Sequence, residues 1–170
     1  MADVTRRLAK LRVPLGYALG AVTLWLAAPT ALSLAIGAGI GAIGEALRIW
    51  AAGHLEKGRE VTSTGPYALT RHPLYAGSVI MGAGFAVAAH SVPVAVLVFA
   101  YLAVTITAAI RSEEAHLTDK FGGEYPAYRD GRSAAAARGF SVERAMRNRE
   151  YRALLGFLAI LLLLAARTYL

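Results

Sequence analysis

Two short stretches concentrate the side chains capable of chemistry. Residues 64–75 read Thr-Gly-Pro-Tyr-Ala-Leu-Thr-Arg-His-Pro-Leu-Tyr and stand directly before an apolar run. At the end of the next apolar run, residues 111–117 read Arg-Ser-Glu-Glu-Ala-His-Leu, followed by Phe121-Gly-Gly-Glu-Tyr-Pro-Ala-Tyr128. Pro73 fits the first turn of a helix, where its missing N–H costs nothing, so Arg71 and His72 fall at a helix N-terminus. Such an end carries free N–H groups and partial positive charge, and it suits a carboxylate. Clusters this dense, bracketing a pair of apolar runs, are hard to explain as packing and read as two halves of an active site.

The familiar constellations are missing. There is no Gly-x-Ser-x-Gly, no His-Glu-x-x-His and no P-loop. The chain has no cysteine, which excludes disulfides and thiol chemistry. The four histidines, His54, His72, His90 and His116, are irregularly spaced, and no metal is expected. Gly39-Ile-Gly41-Ala-Ile-Gly44 matches a dinucleotide fingerprint only in letters, since it lies inside an apolar helix with no preceding strand.

The elements that must position these clusters are membrane helices. Hydrophobic residues make up 56% of the 170 and charged ones 17%, against about 25% charged in an ordinary soluble domain. Mean hydropathy is +0.48. Residues 13–44 carry no charge; as one helix they would reach about 48 Å, too long for a core of about 30 Å. Pro29-Thr30 divides them into spans near 13–29 and 31–51. A third span covers 73–89 and a fourth 92–110, joined by a turn at 90–93, and residues 111–121 continue the fourth helix beyond the bilayer. The apolar stretch 153–166, flanked by Arg152 and Arg167, is either a short fifth span or an interfacial helix.

The expected fold is an all-α integral membrane bundle of about five helices, one domain over 1–170. Its core motifs lie in 45–130, a basic linker in 131–152 and a C-terminal apolar helix in 153–170. Four basic residues precede the first span, four lie between the second and third, and nine lie between 111 and 152; only Arg167 falls on the other side. The positive-inside rule then puts the N-terminus and both clusters on the cytoplasmic face. The first apolar stretch is expected to be a span, since no small-residue cleavage pattern follows it. The +7 charge suggests no nucleic-acid partner, because too little polar chain lies outside the spans.

Within the helices, Gly16-xxx-Gly20 and Gly37-xxx-Gly41 are expected contact points between helices. Glu45, near the inner end of the second span, either pairs with Arg48 or faces the site. Arg111 and Glu114 lie one turn apart. Residues 133–152 alternate apolar and arginine positions, as a helix on an anionic membrane surface would, or a solvated connector.

The two clusters resemble the isoprenylcysteine carboxyl methyltransferase family and its membrane relatives, which include phospholipid N-methyltransferases. The resemblance covers about 45–130. It rests on Gly65-Pro66-Tyr67-Ala-Leu-Thr-Arg71-His72-Pro73-Leu74-Tyr75 with Gly77, and on Glu113-Glu114-Ala-His-Leu117 with Phe121, Gly122, Glu124, Tyr125 and Tyr128. It implies S-adenosylmethionine as cofactor in a cytosol-facing pocket lined by Val61, Thr62, Tyr67, His72, Pro73, Leu74 and Tyr75. Glu113 or Glu114 would hold its positive end, Glu113 by register. The chemistry is compatible: tyrosine faces suit a sulfonium or an adenine, Arg71 and His72 a carboxylate, a glutamate an ammonium.

Methyl transfer depends on alignment more than on acid–base help. A carboxylate acceptor, the preferred one, needs a cation to orient it, and Arg111 is the candidate. An amine acceptor needs a base, Glu114 or Glu45. The acceptor is expected to be lipophilic and delivered from the bilayer. The basic linker and the added apolar segment depart from eukaryotic members of the family, so the substrate stays open. A small transporter or a scaffold is the alternative class, disfavoured because the polar clusters lie at one interface and not at mid-bilayer.

Overall fold

The computed structural model describes residues 18, 20–132 and 138–168, and among these there is no strand. A first helix, α1, is described over 20–26. It is followed by α2 (Ala31–His54), a 3-10 turn (Gly65–Ala68), α3 (Pro73–Ala89), α4 (Val92–Phe121), α5 (Glu124–Arg129), α6 (Val142–Arg147) and α7 (Tyr151–Arg167). Gly16 and most of the expected first span lie outside the described residues.

Local signals account for the boundaries. Thr30 caps α2: its hydroxyl accepts from the Ser33 amide at 3.1 Å, while Ser33 Oγ accepts from the Thr30 amide at 2.9 Å. Pro73 opens α3. His90 ends α3 in the left-handed conformation (φ 48°), and α4 starts two residues on, with Pro93 in its first turn. Among the described helices, α2 and α4 are long and apolar enough to cross a membrane. With 30 residues, α4 reaches about 45 Å, well past a core of about 30 Å. Trp25, Leu32, Val104 and Leu162 are each at least 70% exposed, an exterior suited to lipid rather than water.

The helices converge at one end and part at the other. Ala27, Ala88, Ala89, Val94, Val98 and Leu164 form the core where α1, α3, α4 and α7 meet. Arg167 closes that end by donating to the carbonyls of Ala27 and Trp25 at 2.7 and 2.8 Å. Along the length of the bundle α2 and α3 stay together, because Gly37, Gly41 and Gly44 face Gly77, Gly84 and Ala88 at backbone contact. By contrast α4 is buried only at Val94 and Val98, near its start. Its far half leaves α3, and the opening is the cavity described next.

The basic stretch 138–150 forms neither a long surface helix nor a free connector. Its only helix is the six-residue α6, and Arg138, Arg144 and Arg147 are paired with acids following α2.

Candidate functional site

A cavity of about 1110 Å³ fills the gap between α3 and α4. Five elements build it. The loop 55–62 supplies Val61 and Thr62 together with Leu55, Glu56, Lys57, Gly58 and Glu60. The 3-10 turn supplies Tyr67, and the start of α3 supplies His72, Pro73, Leu74 and Tyr75 along with Arg71 just before it. From α4 come Glu113 and His116, and from α5 Tyr125 and Tyr128. The structure thus brings all eight residues expected at the cofactor, Val61, Thr62, Tyr67, His72, Pro73, Leu74, Tyr75 and Glu113, around one space.

The Gly65 turn is locally determined. Its φ of 58° is a conformation that glycine adopts without strain, and any Cβ would strike the His54 ring. That ring is itself held beneath the turn, with Nδ1 3.0 Å from Thr64 Oγ1. The turn delivers Tyr67 into the cavity wall, and Tyr128 Oη donates to the Tyr67 carbonyl at 2.6 Å, tying α5 across.

At the mouth of α3, His72 Nε2 donates to Glu114 Oε1 at 3.0 Å, and Arg71 lies 3.3 Å from the same oxygen. The carboxylate that meets Arg71 and His72 is therefore the chain's own. Glu113, the neighbouring acid, points differently: it lines the cavity, with Oε2 4.0 Å from His72 Nδ1. Adjacent helical residues point about 100° apart, so only one of the two acids faces the space.

The tyrosines stay neutral here. Burial, then the Glu113 charge, pushes the Tyr67 phenol up. Burial and the Glu114 carboxylate push Tyr125 up to about 12. Tyr125 Oη is buried beside the Glu114 carboxylate, without a well-aligned hydrogen bond to it.

Two expectations need correcting. Arg111 is exposed and outside the cavity, so it has no acceptor to orient there. Glu114 does not line the cavity; it pairs with Arg71 and His72 instead of Arg111, and so acts through them. Of the two readings of Glu45, the pairing holds: it is buried away from the cavity, 3.9 Å from Arg48, whose closer partner is Glu150 at 2.7 Å.

Sequence reasoning missed the apolar end of the cavity. Tyr101, Val104, Thr105, Ala108 and Ala109 line it as a stripe along α4. Steps of four back from Glu113 reach Ala109, Thr105 and Tyr101, steps of four back from Ser112 reach Ala108 and Val104, and that periodicity is visible in the sequence. The cavity therefore runs from charged side chains at one end to an apolar helix face at the other.

A helical protein with an apolar exterior and two helices long enough to cross a bilayer among those described is built as a membrane-associated protein, and its cavity opens between α3 and α4. A family model described as phospholipid methyltransferase matches residues 11–124, and the chain belongs to that family. It stands within the group of membrane methyltransferases that includes the isoprenylcysteine carboxyl methyltransferases. No curated protein and no solved structure matches the chain. The matched span runs through α4 and ends as α5 begins, so it takes in nearly all the cavity and leaves out α6 and α7.

Proposed function

We propose that the protein transfers a methyl group from S-adenosylmethionine to a lipophilic acceptor that enters from the bilayer. The observation that carries this reading is the two-ended cavity. The residues present fit the cofactor: neutral tyrosines and a carboxylate suit its sulfonium and ammonium. A volume of about 1110 Å³ exceeds the usual range of about 300–1,000 Å³ for one small ligand, leaving room for the end of a lipid. When bound, the cofactor supplies an activated methyl group. The chain's part is to align the acceptor with it, to exclude water at the apolar end, and to hold positive charge at Glu113.

The disposition of charge bears on the acceptor. A carboxylate acceptor needs a free cation in the cavity. Arg111 is outside and Arg71 is tied to Glu114, which leaves Lys57. An amine acceptor needs no such cation. Together with the family description, this favours an aminolipid headgroup over a carboxylate oxygen. Labelled S-adenosylmethionine is to be incubated with the purified protein and either aminophospholipid or prenylated-thiol acceptors. Label is expected in base-stable N-methyl lipid. Base-labile methyl ester would restore the carboxylate reading, and absence of S-adenosylmethionine binding by calorimetry would overturn the function.

The same reading makes the bundle five spans, with the N-terminus and cavity mouth cytoplasmic and α7 crossing last. The charge asymmetry supports it, and so does Arg167 at the opposite end of the bundle from the cavity. A reporter fused after Leu170 is expected to read extracytoplasmic. A cytoplasmic readout makes α7 an interfacial helix and leaves the cavity untouched.

A further inference from the structure

The segment 138–150 lies beyond the family match and lines no part of the cavity, yet it folds back onto the cavity's wall. Arg138 holds both carboxylate oxygens of Glu60, the second at 2.7 Å. Arg144 Nε donates to Glu56 Oε1 at 2.8 Å, and Arg147 donates to both Glu56 oxygens at 3.1 Å. The same segment caps α2. Asn148 Nδ2 donates to the carbonyls of Ala52 and Leu55 at 2.8 Å, and Arg144 and the Ser141 amide donate to Gly53 O. These are last-turn carbonyls that the helix itself cannot satisfy, and a cation at that end also opposes the helix dipole. The Phe140 ring occupies the space where Gly53 has no side chain.

The wall it grips has little of its own to hold it. Residues 55–62 form no helix, and their internal bonds are Arg59 N–H to Glu56 O at 3.1 Å and Glu56 N–H to Thr62 Oγ1 at 3.1 Å. Two-pronged arginine–carboxylate pairs fix both distance and orientation, which a loop of this kind lacks.

We propose that residues 138–150 are a brace that positions the 55–62 wall of the cofactor cavity, with Arg138 and Arg144 as positioning residues anchored on Glu60 and Glu56. The inference rests on the reading of the cavity as the S-adenosylmethionine site. It assigns Glu56 and Glu60, two acids in the lining, to the brace instead of to the ligand. The Arg144 hydrogen bond holds Glu56 below the usual carboxylate range. The pair is therefore intact at neutral pH and is released as pH falls through that lowered value. Releasing the brace lowers the fraction of molecules with a binding-competent wall, and apparent cofactor affinity falls by that fraction while turnover at saturation does not.

The chain has no cysteine, so Ser63→Cys introduces a single thiol, near-isosteric and buried beside the wall. Its maleimide labelling rate in detergent reads wall opening without reference to any ligand. In that background Arg138→Glu is expected to speed labelling about tenfold and to raise the S-adenosylmethionine Kd about tenfold, with kcat at saturating cofactor unchanged. The exchange Glu60→Arg with Arg138→Glu is expected to reverse both. Unchanged labelling in Arg138→Glu overturns the brace, as does labelling that the exchange fails to slow. Labelling that accelerates and is reversed, with no S-adenosylmethionine binding even before substitution at 138, upholds the brace and overturns the cofactor reading instead.

Discussion

Gly84→Leu is expected to abolish a folded, monodisperse protein in detergent, whereas Gly39→Leu leaves it intact. Both glycines lie in apolar helices, and composition alone does not separate them. A Cβ at Gly84 would overlap the Gly37 carbonyl and the Gly41 backbone, and one at Gly37 would overlap Gly84 and Ala88 in return. At Gly39 nothing lies within 4 Å. Overpacking against flexible side chains costs about 1–3 kcal/mol, and backbone on both sides cannot yield as a side chain does. The two helices would have to separate along their whole seam. The α2 end leads into the 55–62 loop and α3 begins at Pro73, so separation also pulls apart two walls of the cavity. Size-exclusion profiles and thermal unfolding in detergent test this. A Gly84→Leu protein as stable as the unsubstituted chain would mean that α2 and α3 do not pack through this seam.

Much of this architecture is legible in the residues. Thr30 after Pro29, Pro73 and Pro93 each mark a helix start, and α3 occupies the 73–89 span that apolarity and these signals predict. Gly37 and Gly41 point to a close helix contact without naming its partner, because the facing Gly84 lies far along the chain. The cavity motifs are legible because each is a local cluster of unusual residue types. Other features have no local signature. Arg138 and Arg144 find their acids 78 and 88 residues away, and nothing in the spacing of a basic segment distinguishes paired arginines from lipid-facing ones. Helical geometry separates Arg111, Glu113 and Glu114 by angle but gives no zero for the rotation. That zero is set by where α3 and α5 sit against α4, which is a property of packing. The structure points Glu113 inward, turns Glu114 to Arg71 and His72, and leaves Arg111 outside.

That rotation yields the prediction that most directly tests the site. Glu113→Gln is expected to weaken S-adenosylmethionine binding about tenfold, the lower end of the roughly 1.5–3 kcal/mol carried by a hydrogen bond to a charged group. The lower end applies because the Glu113 side chain is 43% exposed and water screens part of its attraction for a cation. Thermal stability should hardly change, since Glu113 has no contact closer than 4.0 Å to His72 among its ion pairs. Glu114→Gln should behave differently. It removes the charge shared by Arg71 and His72, so it loosens the start of α3 and lowers stability along with affinity. Arg111→Ala should alter neither quantity, because the side chain is exposed and outside the cavity. Calorimetry and thermal unfolding on the three variants separate these outcomes. Normal cofactor affinity in Glu113→Gln, with loss in Arg111→Ala, would mean that α4 presents its opposite face to the cofactor. The cavity between α3 and α4 would then not be the site of methyl transfer.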